Sequence, residues 1–87
     1  MTVSPTLVPR PRQTPLLSVR ERQVLVTWLL HDTKDDAARS LHIAVGTVNT
    51  HLSRIRDKYA AVGRPAPTKA ALLARAVQDG FLDLDAL

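Results

Sequence analysis

Asn49, Thr50, Ser53, Arg54, Arg56 and Lys58 fall within one short stretch, with Thr47 just upstream. Each side chain is a hydrogen-bonding group or a cation. The short polar residues come first and the cations follow. This is the chemistry of many hydrogen bonds combined with charge neutralisation, which suits the groove of a polyanion such as duplex DNA. It is not the chemistry of bond cleavage. His31, His42 and His51 are the only plausible bases or ligands besides carboxylates, and they are spread over different segments. Asp35 and Asp36 are adjacent, so on a helix they would project about 100° apart and would not form a catalytic or metal-binding pair. We therefore expect no enzyme activity, no metal and no cofactor.

These polar residues alternate with Val45, Val48, Leu52, Ile55, Tyr59 and Val62, which recur at steps of three and four. That is the period of a helix with one buried stripe. The spacing predicts helix 3 from about Val45, buried on one side and polar then basic on the other. A solvated helix face carries the same pattern, so the charge alone does not select a partner.

The preceding segments read as a frame for this helix. Ser18-Val19-Arg20-Glu21 has the S-x-x-E form of a capping box, and Val24, Leu25, Trp28 and Leu29 follow at helical spacing. Helix 1 is placed at about Ser18–His31, with Trp28 as a core anchor. Thr33 can cap a short helix 2 from Lys34 to about Leu41, with Asp35 and Asp36 complementing the dipole of its first turn. Ala37, Ala38 and Leu41 are its inward residues. His42-Ile43-Ala44 is a tight link to helix 3, which gives the arrangement of a helix-turn-helix.

After helix 3, Gly63 suits a left-handed cap, and Pro65 and Pro67 stop any continuation. Thr68 is a good cap for helix 4, Lys69 to Asp79, which Gly80 ends. Phe81, Leu82 and Leu84 are expected to fold back on the core. Helix 4 is apolar nearly all round. Its stripe of Ala70, Leu73, Ala74 and Val77 offers a second face on which two copies could pack across a two-fold axis. A well-buried alanine-rich helix would show the same composition.

The chain has 87 residues, enough for one small core, and carries a formal net charge of +4. Residues 42–64 hold Arg54, Arg56, Lys58 and Arg64 against Asp57 alone, while the other acids gather elsewhere. A basic segment in a mixed surface points to a polyanion met by one face. The absence of cysteine excludes disulfides and thiolate metal sites and fits a reducing cytoplasm. There is no apolar run of membrane-spanning length and no signal-peptide core. Residues 1–15 contain Pro5, Pro9, Pro11 and Pro15 without periodicity. They read as a flexible arm or interdomain linker ahead of a domain at 16–87.

The run from Leu17-Ser18-Val19-Arg20-Glu21-Arg22-Gln23-Val24-Leu25 through Thr47-Val48-Asn49-Thr50-His51 to Lys58 resembles the LuxR-type (GerE-like) helix-turn-helix domain. The resemblance covers about Leu17 to Leu82. Gly-Arg-Pro-Ala-Pro-Thr-Lys-Ala-Ala-Leu after helix 3 is similar to actinobacterial response regulators of the NarL class. The resemblance implies an all-α, four-helix effector domain of a transcription factor. A receiver or other sensor would lie upstream of it. Helix 3 would enter the major groove of double-stranded DNA, and helix 4 would form a homodimer contact. Carried over by position, Asn49, Thr50 and Ser53 would face base edges. Thr33, Lys34, Thr47, Arg54, Arg56 and Lys58 would lie near phosphates, and His51 near the DNA backbone. The chemistry agrees: Asn49 can serve adenine with a donor and an acceptor together, and Thr50 offers thymine a hydroxyl and a methyl.

Three departures from the family pattern bear on helix 3. His42 occupies the usual turn glycine, so a left-handed backbone there would carry strain. Ala44 replaces the usual serine, which removes a cap worth about 1 kcal/mol. Neutral Asn49 and Ser53 stand where basic residues are common. A competing reading is a helix-turn-helix that docks on RNA polymerase or another protein, in the manner of sigma-factor-like domains.

Overall fold

The computed structural model describes residues 13–87, and the proline-rich residues 1–12 of the expected arm lie outside the described residues. Four helices occur in order: α1 (Val19–Leu29), α2 (Lys34–Leu41), α3 (Val45–Ala61) and α4 (Lys69–Gln78). A single 3-10 turn, Leu84–Ala86, follows them. The described residues contain no strand, and none of their helices is long and apolar enough to cross a membrane.

The caps form where short-range chemistry directs them. Ser18 Oγ accepts from the Glu21 amide at 3.0 Å, and Glu21 Oε1 accepts from the Ser18 amide at 2.8 Å, completing the capping box of α1. Thr33 Oγ1 accepts from the Asp36 amide at 3.1 Å and starts α2. Thr68 Oγ1 accepts from the Ala71 amide at 3.1 Å and starts α4. Ala44 has the extended backbone of a cap residue but no side chain to complete it, so α3 begins without a side-chain cap.

Helix ends follow the same logic. His42 terminates α2 with φ 57° and ψ 42°, the left-handed position expected from the motif but filled by a residue with a Cβ. Gly63, at φ 74°, lets the Arg64 amide reach back to Tyr59 O at 2.9 Å and close α3. Helix α1 is shorter than the sequence spacing predicts. It stops at Leu29, and the His31 ring donates from Nδ1 to Thr27 O at 2.6 Å, closing the end locally.

One core binds the four helices. Val24, Leu25, Trp28 and Leu29 of α1 meet Ala37 and Ala38 of α2, and Val48, Leu52, Ile55 and Tyr59 of α3. Leu72 and Ala76 of α4 close the far side, with Leu82 beneath them. The two alanines of α2 permit the close approach of α3 that a helix-turn-helix needs. Phe81 packs against this core and Leu82 is buried, as expected. Leu84 is 62% exposed. It is carried away by the terminal 3-10 turn, which Asp83 caps through the Asp85 amide at 3.1 Å.

Residues just ahead of the boundary read from composition contact the helices. Pro15 is buried, and the carbonyls of Gln13 and Leu16 accept hydrogen bonds from Arg64 (2.6 Å) and Lys58 (3.0 Å). Residues 13–15, read above as the end of the arm, are therefore fastened to the domain.

Candidate nucleic-acid interface

The buried stripe of α3 fixes where its other side chains point. At about 100° per residue, Val48, Leu52, Ile55 and Tyr59 share one side, all buried. Thr47, Asn49, Thr50, Ser53 and Arg54 are exposed across the opposite side. This is a continuous polar surface on the second helix of a helix-turn-helix, which the turn of His42 and Ile43 joins to α2.

Within that surface the roles differ. The Thr50 hydroxyl donates to Gly46 O at 3.0 Å, so its proton is committed to the helix while the oxygen can still accept. Asn49 and Ser53 make no side-chain hydrogen bond among the described residues. Gly46 leaves the first turn open, since a Cβ placed there would meet nothing within 4 Å. Asp57 is also exposed on this side and marks the end of the anion-compatible surface.

The three cations read together in the sequence do not act together. Arg54 and Arg56 are about 160° apart around the helix axis. Arg54 is exposed on one flank, and Arg56 lies half-buried on the other, its guanidinium 5.7 Å from the centre of the Trp28 ring. A helix lying in a major groove has phosphates on both sides, so two arginines on opposite flanks can meet both walls.

Lys58 departs from the sequence expectation. Its ammonium donates to Glu21 Oε1 at 2.6 Å and to Leu16 O at 3.0 Å, away from the polar surface. It is turned toward α1 because Glu21, only 6% exposed, supplies a fixed carboxylate there. Burial pushes the Glu21 carboxyl up, but the Lys58 ammonium and the Ser18 amide outweigh this and hold it below its ordinary value of 4.5. Lys58 is therefore a tie to α1 in the structure, with its side chain still 40% exposed.

Arg64 departs from the basic stretch in the same way. It is buried between α3 and α4, with Nη2 2.9 Å from Asp79 Oδ1 and 3.0 Å from Gln78 Oε1. Its guanidinium also lies 5.4 Å from the Tyr59 ring centre.

At the α1–α2 turn, Thr33 is exposed and Lys34 half-buried. Asp32, Asp35 and Asp36 flank them, with Asp36 paired to Arg39 at 3.7 Å. These acids reduce the positive potential that the start of α2 would otherwise present. The sequence reading missed a cation beside this turn. Lys69 donates to His31 O at 2.5 Å and lies 5.1 Å from the Trp28 ring centre. Nothing in the local pattern signals this, because Lys69 and Trp28 meet only through the packing of α4 on α1. His51 is half-buried, with its Nδ1 buried and without a hydrogen-bond partner. No metal-binding group of His, Cys, Asp or Glu occurs among the described residues.

On α4, Ala70 and Ala74 are exposed and Leu73 and Val77 half-buried, opposite the buried Leu72 and Ala76. Of the expected stripe, the two alanines face outward, while Leu73 also packs against the core.

The fold and this surface define a helix-turn-helix DNA-binding domain. The chain belongs to the luxR family of bacterial regulatory proteins, whose GerE model matches residues 15–70. Neither a curated protein nor a solved structure gives a match to it.

Proposed function

We propose that this domain binds specific sequences of double-stranded DNA as the effector part of a transcriptional regulator, with α3 in the major groove. The observation that carries this reading is the exposed polar side of α3, left uncovered by the other elements among the described residues and flanked by Arg54 and Arg56. Asn49, Thr50 and Ser53 read base edges. Arg54, Arg56 and Thr47 neutralise or bond phosphates on the two groove walls. Thr33 and Lys34 assist from the α1–α2 turn, against the opposing charge of the neighbouring aspartates. Supporting a homodimer, the stripe of Ala70, Leu73, Ala74 and Val77 on α4 is apolar, with the two alanines exposed and Leu73 and Val77 half-exposed. Control by an upstream receiver, as in two-component response regulators, would bring two such domains together.

The test is a fluorescence titration with promoter DNA at two salt concentrations. Affinity should fall steeply with salt, and Arg54→Ala combined with Arg56→Ala should flatten that dependence by about two phosphate contacts. No binding at low salt, or no effect of the double substitution, would overturn the reading in favour of a protein-docking module. For the dimer, sedimentation on DNA should show two copies per site for the wild type and one for Leu73→Glu. Single occupancy by both would remove α4 from the interface.

A further inference from the structure

Trp28 is the chain's only tryptophan and is just 5% exposed, yet two cations lie close to its ring. Arg56 approaches to 5.7 Å from α3, and Lys69 to 5.1 Å from the first position of α4. An indole face attracts one cation, and cation–π contacts are worth about 0.5–1 kcal/mol at exposed sites. Gathering two cations at the same ring also places like charges together, which ordinary packing gives no reason to do. Neither has an acidic counterpart: the ion pairs among the described residues are Arg39–Asp36, Lys58–Glu21 and Arg64–Asp79. Among the described residues the only direct polar partner of Lys69 is the neutral carbonyl of His31, and Arg56 Nε is buried without a partner.

We infer that Arg56 and Lys69, seated at the Trp28 ring, form a backbone-phosphate clamp at the edge of the α3 reading surface, recruiting α4 to the DNA contact. This rests on the DNA-binding reading above and extends it to a residue outside the helix-turn-helix itself. The placement suits the role. Arg56 shares a flank of α3 with Asn49, about two turns further along the helix, so the clamp continues the line of the base-reading residues toward one groove wall. The carbonyl that Lys69 bonds belongs to His31, three residues before Lys34. Lys69 thus reaches the α1–α2 turn from α4, while Arg56 reaches the same Trp28 ring from α3. A phosphate arriving there supplies the acidic partner that Arg56 and Lys69 lack among the described residues, the aspartates of the turn being paired with neither. The buried indole limits the wandering of both side chains beforehand, which lowers the entropy lost on contact.

The contact carries no base information, so it should strengthen binding to all duplexes alike. It should also couple the DNA to α4, the same helix whose outer stripe is proposed to face a second copy.

The test uses the full chain and a mixed-sequence 20-base-pair duplex, titrated at several salt concentrations, with Trp28 emission recorded alongside labelled-DNA anisotropy. Lys69→Gln should reduce the slope of log Kd against log salt by about 0.9, and weaken binding roughly fivefold to tenfold at 0.1 M salt. Lys69→Arg should restore both. The wild type should show a change in Trp28 emission on binding that Lys69→Gln largely loses. Thermal melts of each variant separate this from a role of Lys69 in merely holding the end of α1. A structural tie would lower the midpoint while leaving the salt slope intact, and that result would overturn the clamp. An unchanged slope with wild-type binding intact would overturn the clamp alone. No wild-type binding to any duplex would overturn the clamp together with the DNA-binding reading.

Discussion

The Tyr59 hydroxyl donates a 2.7 Å hydrogen bond to Asp79 Oδ2, joining the last turn of α3 to the residue that ends α4. Asp79 also holds Arg64, and both charged side chains are nearly inaccessible, at 2% and 10% exposure. The helix proposed to read DNA and the helix proposed to dimerise are thus locked through one buried carboxylate. Asp79→Ala should cost about 3 kcal/mol or more, because it strands the Arg64 guanidinium. Tyr59→Phe removes one hydrogen bond and should cost about 1 kcal/mol. Urea unfolding of the two variants checks both the order and the gap. Equal losses would show that Arg64 finds its compensation elsewhere.

Tyr59 also sets an alkaline limit. Burial, and then the Asp79 carboxylate, push its phenol well above the ordinary value of 10.0. A group whose pKa is raised by folding contributes stability that is complete below its unfolded value and lost as pH climbs toward the folded one. Stability should therefore fall above pH 10, and Tyr59→Phe should flatten that fall. Because Tyr59 is the only tyrosine, ultraviolet difference absorbance reports its ionisation directly. Tyrosinate appearing well before the helical signal is lost would contradict the assignment.

Glu21 works in the opposite direction. Burial raises its carboxyl, but Lys58 and the Ser18 amide lower it further, so the net value lies below 4.5. A depressed carboxylate contributes stability present above its unfolded value and lost as pH falls through the folded one. Glu21→Gln should therefore reduce the drop in melting temperature as pH falls below about 4.5. The Lys58 ammonium is partly solvated, so the ion pair itself should add only about 1 kcal/mol at neutral pH. Identical acid profiles for variant and wild type would remove Glu21 from this role.

What could be read from the sequence was what depends on near neighbours. The Ser18–Glu21 box, the Thr33 and Thr68 caps and the Gly63 stop all involve residues three to five apart, so spacing alone specifies them. The buried stripe of α3 is likewise local. The partners of Lys58, Arg64 and Lys69 were not legible, because the nearest of them lie 37, 14 and 38 residues away. A run of basic residues looks the same in sequence whether its members face water or a buried acid. Arg54 and Arg56, two residues apart, also read as one grip although the helix sends them to opposite flanks. The exposed position of Leu84 depends on a single-turn ending that hydrophobic pattern does not encode.

Asn49 and Lys58 should now separate more sharply than charge suggested. Asn49→Ala should change which sequences are preferred, at about 1–3 kcal/mol of discrimination, with little effect on stability. Lys58→Ala should lower the melting temperature by breaking its contacts with Glu21 and Leu16, and leave the salt dependence of DNA binding nearly unchanged. A binding-site selection on random duplexes, paired with thermal melts, tests both. Lys58→Ala reducing the salt slope by a full contact would return Lys58 to the phosphate-binding set.

The start of α3 carries two correctable weaknesses and one that should resist correction. His42 holds a left-handed backbone at φ 57°, so His42→Gly should stabilise the domain by about 1 kcal/mol. Ala44 has the extended cap geometry without an acceptor, and Ala44→Ser should add about 1 kcal/mol by engaging the Thr47 amide. Gly46→Ala meets no neighbour within 4 Å and should gain about 0.5–1 kcal/mol in the isolated domain. If the first turn of α3 lies against DNA, that methyl occupies the space between backbone and phosphate. Gly46→Ala should then stabilise the protein and weaken its binding to DNA together, whereas Ala44→Ser should stabilise without weakening. Amide exchange supplies the dynamic half of the test. The Gly46 and Thr47 amides should exchange quickly in the wild type, slow on adding DNA, and already be slow in Ala44→Ser. Exchange equally slow with and without DNA in the wild type would mean that the uncapped turn is firm by itself, and that the missing serine has no consequence for recognition.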